Sequence, residues 1–321
     1  MSLVLVMPAY RRPECVRRAL TSLALQTYNN FKTVIVDDCS PEPLEDIANE
    51  FAEILDIQYL RLEQNGGPGK ARQRGIEWAM EQGYEYVMFM DSDDLLYPQA
   101  IARLYHEIKE TGCDMISASI WQEEENPGVP GVVLASDNRT WLHGKIFRLS
   151  FLKEREINFP PMRTNEDMVF NLCAFEAADK RGTLDEVLYL FKYEANSITR
   201  NGFANHMLTT DFIVGLYYVV KYFNDHSLSL SEQILVDCYC LYNYCQLAKH
   251  FNLLTEDMHE KIAFIVNQPD FIKGLTSKEW LSHIHHLLGN WEIYQGNNQI
   301  IYFNQTFQDW VKEYTNGNSN N

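Results

Sequence analysis

The sequence predicts an α/β fold in which a mostly parallel sheet is covered by helices on both faces. Through the first half of the chain, apolar runs of strand length alternate with segments of helical periodicity. The runs are apolar throughout, which is typical of strands that are buried on both faces. Repeated strand–helix units of this kind form parallel sheets, because the crossover helices pack against the strands.

The first half of the chain supplies four such units. The predicted strands are residues 3–7, 33–36, 57–62 and 86–90. Helices are predicted to begin at Pro13, where proline suits the first helical position, and to cover residues 44–55 and about 70–80. A glycine-rich turn, residues 65–69, precedes the third of these helices. A fourth helix carries Ile101, Leu104, Tyr105 and Ile108 on one face.

The alternation stops after Asp114. Residues 115–120, 131–134 and 187–193 are predicted strands, and a helix begins near Asn165. From about Phe203 the pattern changes to long, aromatic-rich helical segments with hardly any strand signal. We therefore expect a first domain of residues 1–202, a helical domain of residues 203–314 that binds an acceptor or a partner or is structural, and a disordered polar tail of residues 315–321.

The composition narrows the class of function. The chain has 321 residues and a formal net charge of −17, which argues against general affinity for nucleic-acid backbones or anionic membranes. The seven cysteines are scattered and follow no secretion signal, and no apolar run is long enough to cross a bilayer. We expect a cytoplasmic protein with reduced thiols; the sequence leaves its oligomeric state open.

Asp91, Asp93 and Asp94 follow directly after the fourth predicted strand. Carboxylates this close repel one another unless a positive charge lies between them, and a hard divalent cation prefers oxygen ligands. The alternative is a solvated acidic turn in which Asp94 caps the following helix. The spacing by itself does not decide between the two.

Polar and turn residues also follow the other predicted parallel strands. These are Pro8-Ala9-Tyr10, Asp37-Asp38 and the glycine turn. In parallel sheets, ligands bind beyond the carboxyl ends of the strands. The sequence therefore predicts a binding site at this edge of the sheet.

The first roughly 200 residues resemble family 2 glycosyltransferases of the GT-A fold, a Rossmann-like architecture. The motifs occur in the family's order and at its approximate spacing. They are Met7-Pro8-Ala9-Tyr10, Gln26-Thr27, residues 34–40, Asn65-Gly66-Gly67-Pro68 with Ala71-Arg72, Met90-Asp91-Ser92-Asp93-Asp94, and Asn165-Glu166-Asp167. The region from Phe203 onward has no such resemblance.

The resemblance implies a hexosyl- or pentosyltransferase that moves a sugar from a nucleotide donor with inversion at the anomeric carbon. The donor-binding residues that it implies are Pro8, Ala9, Tyr10, Asp38, Gly66, Arg72, Asp91 and Ser92. A carboxylate at Asp38 can accept the N3–H of uracil, which favours a UDP-sugar. Asp93, together with Asp91, would bind Mn²⁺ or Mg²⁺ at the diphosphate.

Asp167 would be the general base that deprotonates the acceptor hydroxyl, and Glu166 would orient the site or contact the acceptor. The alternative for this pair is an ordinary acidic first turn of a helix. His143 and Lys145 are candidate contacts to the diphosphate or the acceptor, although a simple turn before a strand explains them equally well.

The chain departs from the family pattern at two points. Gln73 stands where many relatives have Asn, which puts the details of the donor loop in doubt. The Gln-x-x-Arg-Trp element of the processive membrane synthases is missing, which indicates an enzyme that adds single sugars.

Three functions are compatible with these features. The first is a metal-dependent transferase that acts on a glycan. The second has the same chemistry with a modified DNA base or a protein as acceptor, and the acidic composition does not favour DNA. The third is a nucleotide-sugar-binding protein without turnover, which would not need Asp167.

Overall fold

The computed structural model describes residues 2–126, 128–194, 204–228, 241, 245, 248, 252–269, 293–295, 299–301 and 307–315. The chain divides into two compact units, Met1–Arg200 and Asn201–Asn321.

The first unit is built on a nine-stranded sheet. Its strands are β1 (Leu3–Ala9), β2 (Lys32–Asp37), β3 (Ile57–Arg61), β4 (Tyr86–Phe89), β5 (Leu95–Leu96), β6 (Met115–Gln122), β7 (Val132–Leu134), β8 (Lys145–Arg148) and β9 (Arg181–Phe191). Its helices are α1 (Pro13–Ala24), α2 (Glu45–Glu50), α3 (Pro68–Glu81), α4 (Ala100–Thr111), α5 (Leu149–Glu154) and α6 (Glu166–Ala177).

The strand order is β3-β2-β1-β4-β8-β6-β9-β5, and β7 pairs with β6. Strands β1 to β4 are parallel to one another, and β9 is parallel to β6. Strand β8 is antiparallel to both β4 and β6, and β5 is antiparallel to β9. The predicted α/β fold is confirmed, and the second half of the unit adds the antiparallel pairs.

Burial explains why the first strands are apolar throughout. All seven residues of β1 are buried, so both faces of this strand are covered. Helix α1 begins with Pro13 in its first turn and buries Val16, Ala19, Leu20 and Leu23, which lie on one face. These side chains join the apolar core that also contains the side chains of β1.

The parallel register brings the strand ends that carry the polar motifs to one edge of the sheet. Ala9 at the end of β1 pairs with Asp37 at the end of β2. On the other side of β1, Val6 pairs with Phe89, directly before Met90 and Asp91. The loops that follow β1, β2 and β4 therefore leave the sheet side by side.

Two elements differ from their predicted bounds, the pattern did not predict β5, β8 and α5, and the alternative for Asp94 is excluded. Helix α2 ends at Glu50, and turns follow it. Strand β9 begins at Arg181, well before the predicted residue 187, because it pairs along most of β6. Asp94 does not cap a helix: the two-residue strand β5 follows it and pairs with β9.

The second unit contains helices α7 (Ala204–Asp225), α8 (Glu256–Val266) and α9 (Phe307–Thr315). It also contains an antiparallel pair, β10 (Ile293–Gln295) and β11 (Gln299–Ile301), which the sequence pattern did not indicate. The predicted disordered tail begins at residue 315. Thr315 is the last residue of α9, and residues 316–321 lie outside the described residues. Within the described ranges, no helix combines the length and apolarity that crossing a bilayer requires.

Candidate active site

Asp91 lies at the centre of the site, two residues after the end of β4. Its Oδ1 accepts a hydrogen bond from Arg72 Nη2 at 2.6 Å, and its Oδ2 lies 3.1 Å from His143 Nε2. Burial by itself would raise the pKa of Asp91, but the charges of Arg72 and His143 outweigh it and lower that pKa. Asp91 is therefore held in the ionised form.

Arg72 joins the acidic loop to the acidic helix start. Its side chain is only 3% exposed, and its Nη1 donates to Glu166 Oε1 at 2.7 Å while Nη2 binds Asp91. The guanidinium also lies over the ring of Phe159, 5.7 Å from its centroid. A buried guanidinium with two carboxylate partners fixes the separation of Asp91 and Glu166.

Glu166 and Asp167 form the first turn of α6, as predicted. Glu166 is buried, and burial together with the nearby Asp167 charge raises its pKa to about 7 in spite of Arg72. Asp167 is only half-buried, so its carboxylate is the accessible one of the pair. The helix N-terminus favours negative charge at both positions.

Helix α3 begins close to this pair. A Cβ on Gly69 would lie 2.5 Å from Glu166 Cγ, so only glycine allows the approach without a shift of Glu166. Gln73, the departure from the family pattern, accepts a hydrogen bond from the Phe159 N–H at 3.1 Å and donates to Asn158 at 3.1 Å. The longer amide thus ties α3 to the segment that precedes α6.

Two arginines bind Asp93: Arg12, directly before α1, and Arg18, in the middle of α1. Arg12 Nη1 lies 2.8 Å from Asp93 Oδ2, and Arg18 Nη2 donates to the Asp93 carbonyl oxygen at 2.9 Å. Burial and the Asp91 charge raise the pKa of Asp93, and Arg12 acts against this shift. The carboxylate is 24% exposed, which leaves it within reach of solvent.

Asp94 points into the protein. Its Oδ2 accepts from the Tyr189 hydroxyl at 2.6 Å and its Oδ1 from the Lys192 N–H at 2.9 Å. Burial, reinforced by the charges of Asp91 and Asp93, raises the pKa of Asp94 to about 8. The Tyr189 hydroxyl also accepts from the Asp91 N–H at 3.2 Å, so this tyrosine orients the whole acidic loop.

These donors fit a divalent cation. Asp91, Asp94 and His143 each place one ligand atom within 4.8 Å of the others. Neither ring nitrogen of His143 has a well-aligned hydrogen bond in the described part of the chain, although the ring is buried and stacks on Tyr189 at 4.9 Å. Carboxylate oxygens and an imidazole nitrogen suit Mn²⁺.

The Asp38 carboxylate holds the glycine turn. It accepts hydrogen bonds from the N–H groups of Gly66 at 2.7 Å and Gly67 at 2.8 Å. Gly67 has φ +88°, which favours glycine, and it precedes the first residue of α3. Burial raises the pKa of Asp38 although both N–H bonds lower it.

The remaining predicted residues lie around these groups. Pro8 and Ala9 are buried at the end of β1, and the following Tyr10 is 39% exposed with the Arg11 guanidinium 4.8 Å from its ring centroid. Ser92 is half-buried in the acidic loop. Lys145 is buried in β8, where its Nζ donates to the Trp141 carbonyl and where burial lowers its pKa to about 7.

Sequence reasoning did not single out Arg12, Arg18 or Tyr189 as site residues. The arginines stand out in the sequence only as members of two basic pairs. Tyr189 lies in a strand, where an aromatic residue is ordinary. Its contact with Asp94 spans 95 positions, and only the pairing of β5 with β9 brings the two together.

The fold and the arrangement of these motifs define a GT-A transferase. The family model "Glycosyl transferase family 2" matches residues 4–170. The chain belongs to this family, as the motifs predicted.

Curated relatives match more than half of the chain. The chain is 28% identical over 205 residues to the poly(ribitol-phosphate) beta-N-acetylglucosaminyltransferase TarS of Staphylococcus aureus, which covers 60% of this chain and 35% of that relative. It is 30% identical over 199 residues to a poly(ribitol-phosphate) beta-glucosyltransferase of Bacillus spizizenii, covering 56% and 30%. The matches thus span about a third of these relatives' own lengths.

Solved structures share the fold. The crystal structure of S. aureus TarS 1-349 in complex with UDP has a TM-score of 0.62 at 20% identity, covering 89% of this chain and 86% of that one. The mannosyltransferase PcManGT of Pyrobaculum calidifontis, in complex with GDP-Man and Mn²⁺, has a TM-score of 0.51 at 14% identity, covering 91% and 88%. At these identities the likeness concerns the fold.

Proposed function

We propose that this protein is an inverting, metal-dependent glycosyltransferase that moves single sugars from a UDP-sugar to a hydroxyl group of a glycan. One observation carries the proposal. Arg72 binds both Asp91 and Glu166, and it thereby joins the acidic loop after β4 to the acidic start of α6. The groups needed to hold a donor diphosphate and to deprotonate an acceptor therefore lie at one edge of the sheet.

The glycine turn and the ends of β1 and β2 support the donor part of the proposal. Pro8, Ala9, Tyr10 and Asp38 would form the base pocket at the ends of these strands. Each Asp38 oxygen accepts one hydrogen bond in the turn and keeps a second lone pair, which can accept the N3–H of uracil. A cytosine base, which has no such N–H, would lack this bond.

Asp93 and Asp91 would hold the cation at the diphosphate, with Asp94 and His143 behind them. Asp94 uses both oxygens in bonds to the protein and is buried, whereas Asp93 retains access to solvent. One or two carboxylates are enough where phosphate oxygens complete the coordination of the metal. When bound, Mn²⁺ or Mg²⁺ would neutralise negative charge on the departing nucleotide.

Asp167 would accept the proton of the attacking hydroxyl. Its exposure and its position at the N-terminus of α6 suit a carboxylate that is ionised at neutral pH. Glu166, buried and bound to Arg72, would hold the turn rather than receive the proton. Attack from the face opposite the leaving nucleotide inverts the anomeric carbon.

The acceptor side of the proposal is drawn from the relatives. Two of them are named as poly(ribitol-phosphate) glycosyltransferases, and they match 60% and 56% of this chain. A glycan polymer that carries hydroxyl groups is therefore the acceptor class we propose. Lys145 and His143 are buried behind Asp91 and Trp141, so they would support the site more than contact a polymer.

The test is a donor screen followed by a turnover assay. Thermal shifts with UDP, UDP-glucose, UDP-N-acetylglucosamine and GDP-mannose, each with and without Mn²⁺, should show metal-dependent stabilisation by the uridine nucleotides. UDP release should then require Mn²⁺ and fall strongly in Asp167→Asn. Tight, metal-independent donor binding without any UDP release would favour the alternative of a nucleotide-sugar-binding protein without turnover.

A further inference from the structure

Arg12 covers the carboxylate at which we propose that the cation binds. Its Nη1 lies 2.8 Å from Asp93 Oδ2, and the two side chains are 33% and 24% exposed. A guanidinium keeps its positive charge at every physiological pH. Asp93 therefore already has a cationic partner within the protein.

The backbone holds Arg12 in this position. Arg11 and Arg12 have φ values of 59° and 52°, two successive left-handed residues that carry a Cβ. The Arg11 N–H donates to Ser40 Oγ at 2.8 Å, and the Arg12 carbonyl accepts from the N–H groups of Cys15 and Val16 at the start of α1. The turn is thus fixed to the end of β2 on one side and to α1 on the other.

The other charged groups around Asp93 do not provide a positive charge at its carboxylate. Arg18 binds the Asp93 carbonyl oxygen, and the same Nη2 also binds Glu194 at 2.6 Å, so a carboxylate balances its charge. Asp91 and Glu194 add negative charge near Asp93. Of these neighbours, Arg12 is the cation that contacts the Asp93 carboxylate.

We propose that Arg12 is an internal competitor of the metal ion, an inference that rests on the proposed function. Two cations cannot share one carboxylate oxygen at bonding distance without strong repulsion. A divalent cation on either oxygen of Asp93 would lie close to the guanidinium on Oδ2, so binding has to displace Arg12 or overcome its repulsion. The metal affinity of the donor-free protein is the difference between the two interactions, and Arg12 lowers it.

The test titrates Mn²⁺ alone into the full chain and counts the free ion by electron paramagnetic resonance. Arg12→Gln should bind Mn²⁺ about two- to fivefold more tightly than the wild type, the scale of one partly exposed ion pair. Arg17→Gln is the matched control, because it makes the same change of net charge on α1. Arg17 binds Glu14 and Glu50, away from the acidic loop, so this variant should bind Mn²⁺ as the wild type does.

Further variants keep the test decisive. Arg12→Asn suits a left-handed backbone and replaces Arg12→Gln if circular dichroism shows the latter to be misfolded. Arg12→Lys retains the charge and should stay close to the wild type. Equal Mn²⁺ affinity of Arg12→Asn, Arg12→Gln and Arg17→Gln would overturn the inference, as would weaker binding in the Arg12 variants.

Asp93→Asn separates this inference from the proposed function. Loss of Mn²⁺ binding in Asp93→Asn, together with unchanged affinity on removal of Arg12, would retain the metal site and reject the competition. Mn²⁺ binding that survives in Asp93→Asn would place the cation away from Asp93. It would reject both the proposed metal site at Asp93 and the competition with Arg12.

Discussion

Arg72 is almost fully buried and forms ion pairs with two carboxylates. It is the buried cation between Asp91 and Glu166, and its removal takes a cationic partner from both carboxylates. We expect Arg72→Met to lower the free energy of unfolding by about 3–5 kcal/mol in urea denaturation. Arg74→Met is the control on the same helix, since the ion pair that Arg74 forms among the described residues is an exposed one with Glu81 at 3.5 Å, worth roughly 0–1 kcal/mol. Equal losses in the two variants would show that the ion pairs of Arg72 with Asp91 and Glu166 do not stabilise the fold.

Asp167 gives the sharpest kinetic prediction. Asp167→Asn keeps the shape of the side chain and removes the proton acceptor, so kcat should fall by roughly 10²–10⁴ while donor affinity stays nearly constant. Steady-state turnover and calorimetry with UDP measure the two quantities. Asp179→Asn, at a carboxylate that is 82% exposed and pairs with Arg155, is the control. A large loss of UDP affinity with little change in kcat would assign Asp167 to donor binding instead.

The pKa values of the buried acids predict how stability depends on pH without metal. Burial raises the pKa of Asp94 from 3.8 to about 8 and that of Glu166 from 4.5 to about 7, and the Asp91 charge raises that of His143 in spite of its burial. The folded protein then binds more protons than the unfolded chain, so stability falls as pH rises between about pH 5 and about pH 7. Lys145, whose pKa burial lowers from 10.5 to about 7, has the opposite slope only above this window.

Thermal melting across that window, in chelator-treated buffer, measures this dependence. Asp94→Asn should show a weaker fall of the melting temperature with rising pH, because the residue no longer takes up a proton on folding. Added Mn²⁺ should flatten the wild-type curve, since a cation favours the ionised carboxylates. A melting temperature that rises from pH 5 to pH 7 in the wild type would contradict the raised pKa values of these buried groups.

At the level of single residues, the sequence identified the groups with distinctive chemistry. Asp91, Asp93, Asp94 and the Glu166-Asp167 pair stand out because carboxylates are unusual directly after a buried strand or in a motif of known order. The roles of these residues stay predictions. The partners that orient them, Arg12 and Tyr189, have no local signal, because their contacts depend on how distant strands and loops pack.

At the level of elements, the parallel part of the sheet follows from the sequence and the mixed part does not. Strands β1, β2 and β4 are apolar runs separated by helices, so their direction is fixed by the crossovers. Strands β5 and β9 depend on pairing with each other and with β6, and a two-residue strand has no periodicity to detect. The same limitation hid the pair β10–β11 in the second unit.

The packing of α3 on β1 is an element-level property that can be tested. A Cβ on Gly75 would lie 2.4 Å from Val6 Cγ1, in a strand whose residues are all buried. Gly75→Ala should therefore lower the free energy of unfolding by about 1–3 kcal/mol, the usual effect of overpacking. Gly128→Ala, where the nearest atom to the added Cβ is 3.7 Å away, should be nearly neutral in the same denaturation experiment. A stabilised Gly75→Ala would mean that the helix and strand are less tightly packed than described.

At the level of the molecule, we propose that the first unit binds the donor and the second unit binds the acceptor or a partner chain. The first unit, Met1–Arg200, contains all the motifs of the site, and the family model matches within it. The second unit, Asn201–Asn321, would receive the acceptor or a partner chain; the simpler alternative is that its aromatic residues only form its core.

A chain that ends at Arg200 tests this division. If circular dichroism shows that it melts cooperatively, it should bind UDP in the presence of Mn²⁺ and fail to transfer sugar to the acceptor that the full chain uses. Hydrolysis of the donor, which needs no acceptor, should persist and serves as the control. Full transfer activity in this folded fragment would assign the acceptor site to the first unit.

The charge of the whole molecule decides between the acceptor classes. A duplex DNA acceptor is approached through its phosphates, which normally requires lysines and arginines clustered on one face. This chain has 44 acidic and 27 basic residues, and several arginines at the site are engaged by carboxylates, as in Arg12–Asp93 and Arg72–Asp91. We therefore expect no gel shift with plain or hydroxymethylated duplexes at low salt, and no sugar transfer to either. A local basic groove could act in spite of the acidic whole, so tight, salt-sensitive binding with transfer to the modified duplex alone would establish a DNA base as the acceptor and reject the glycan.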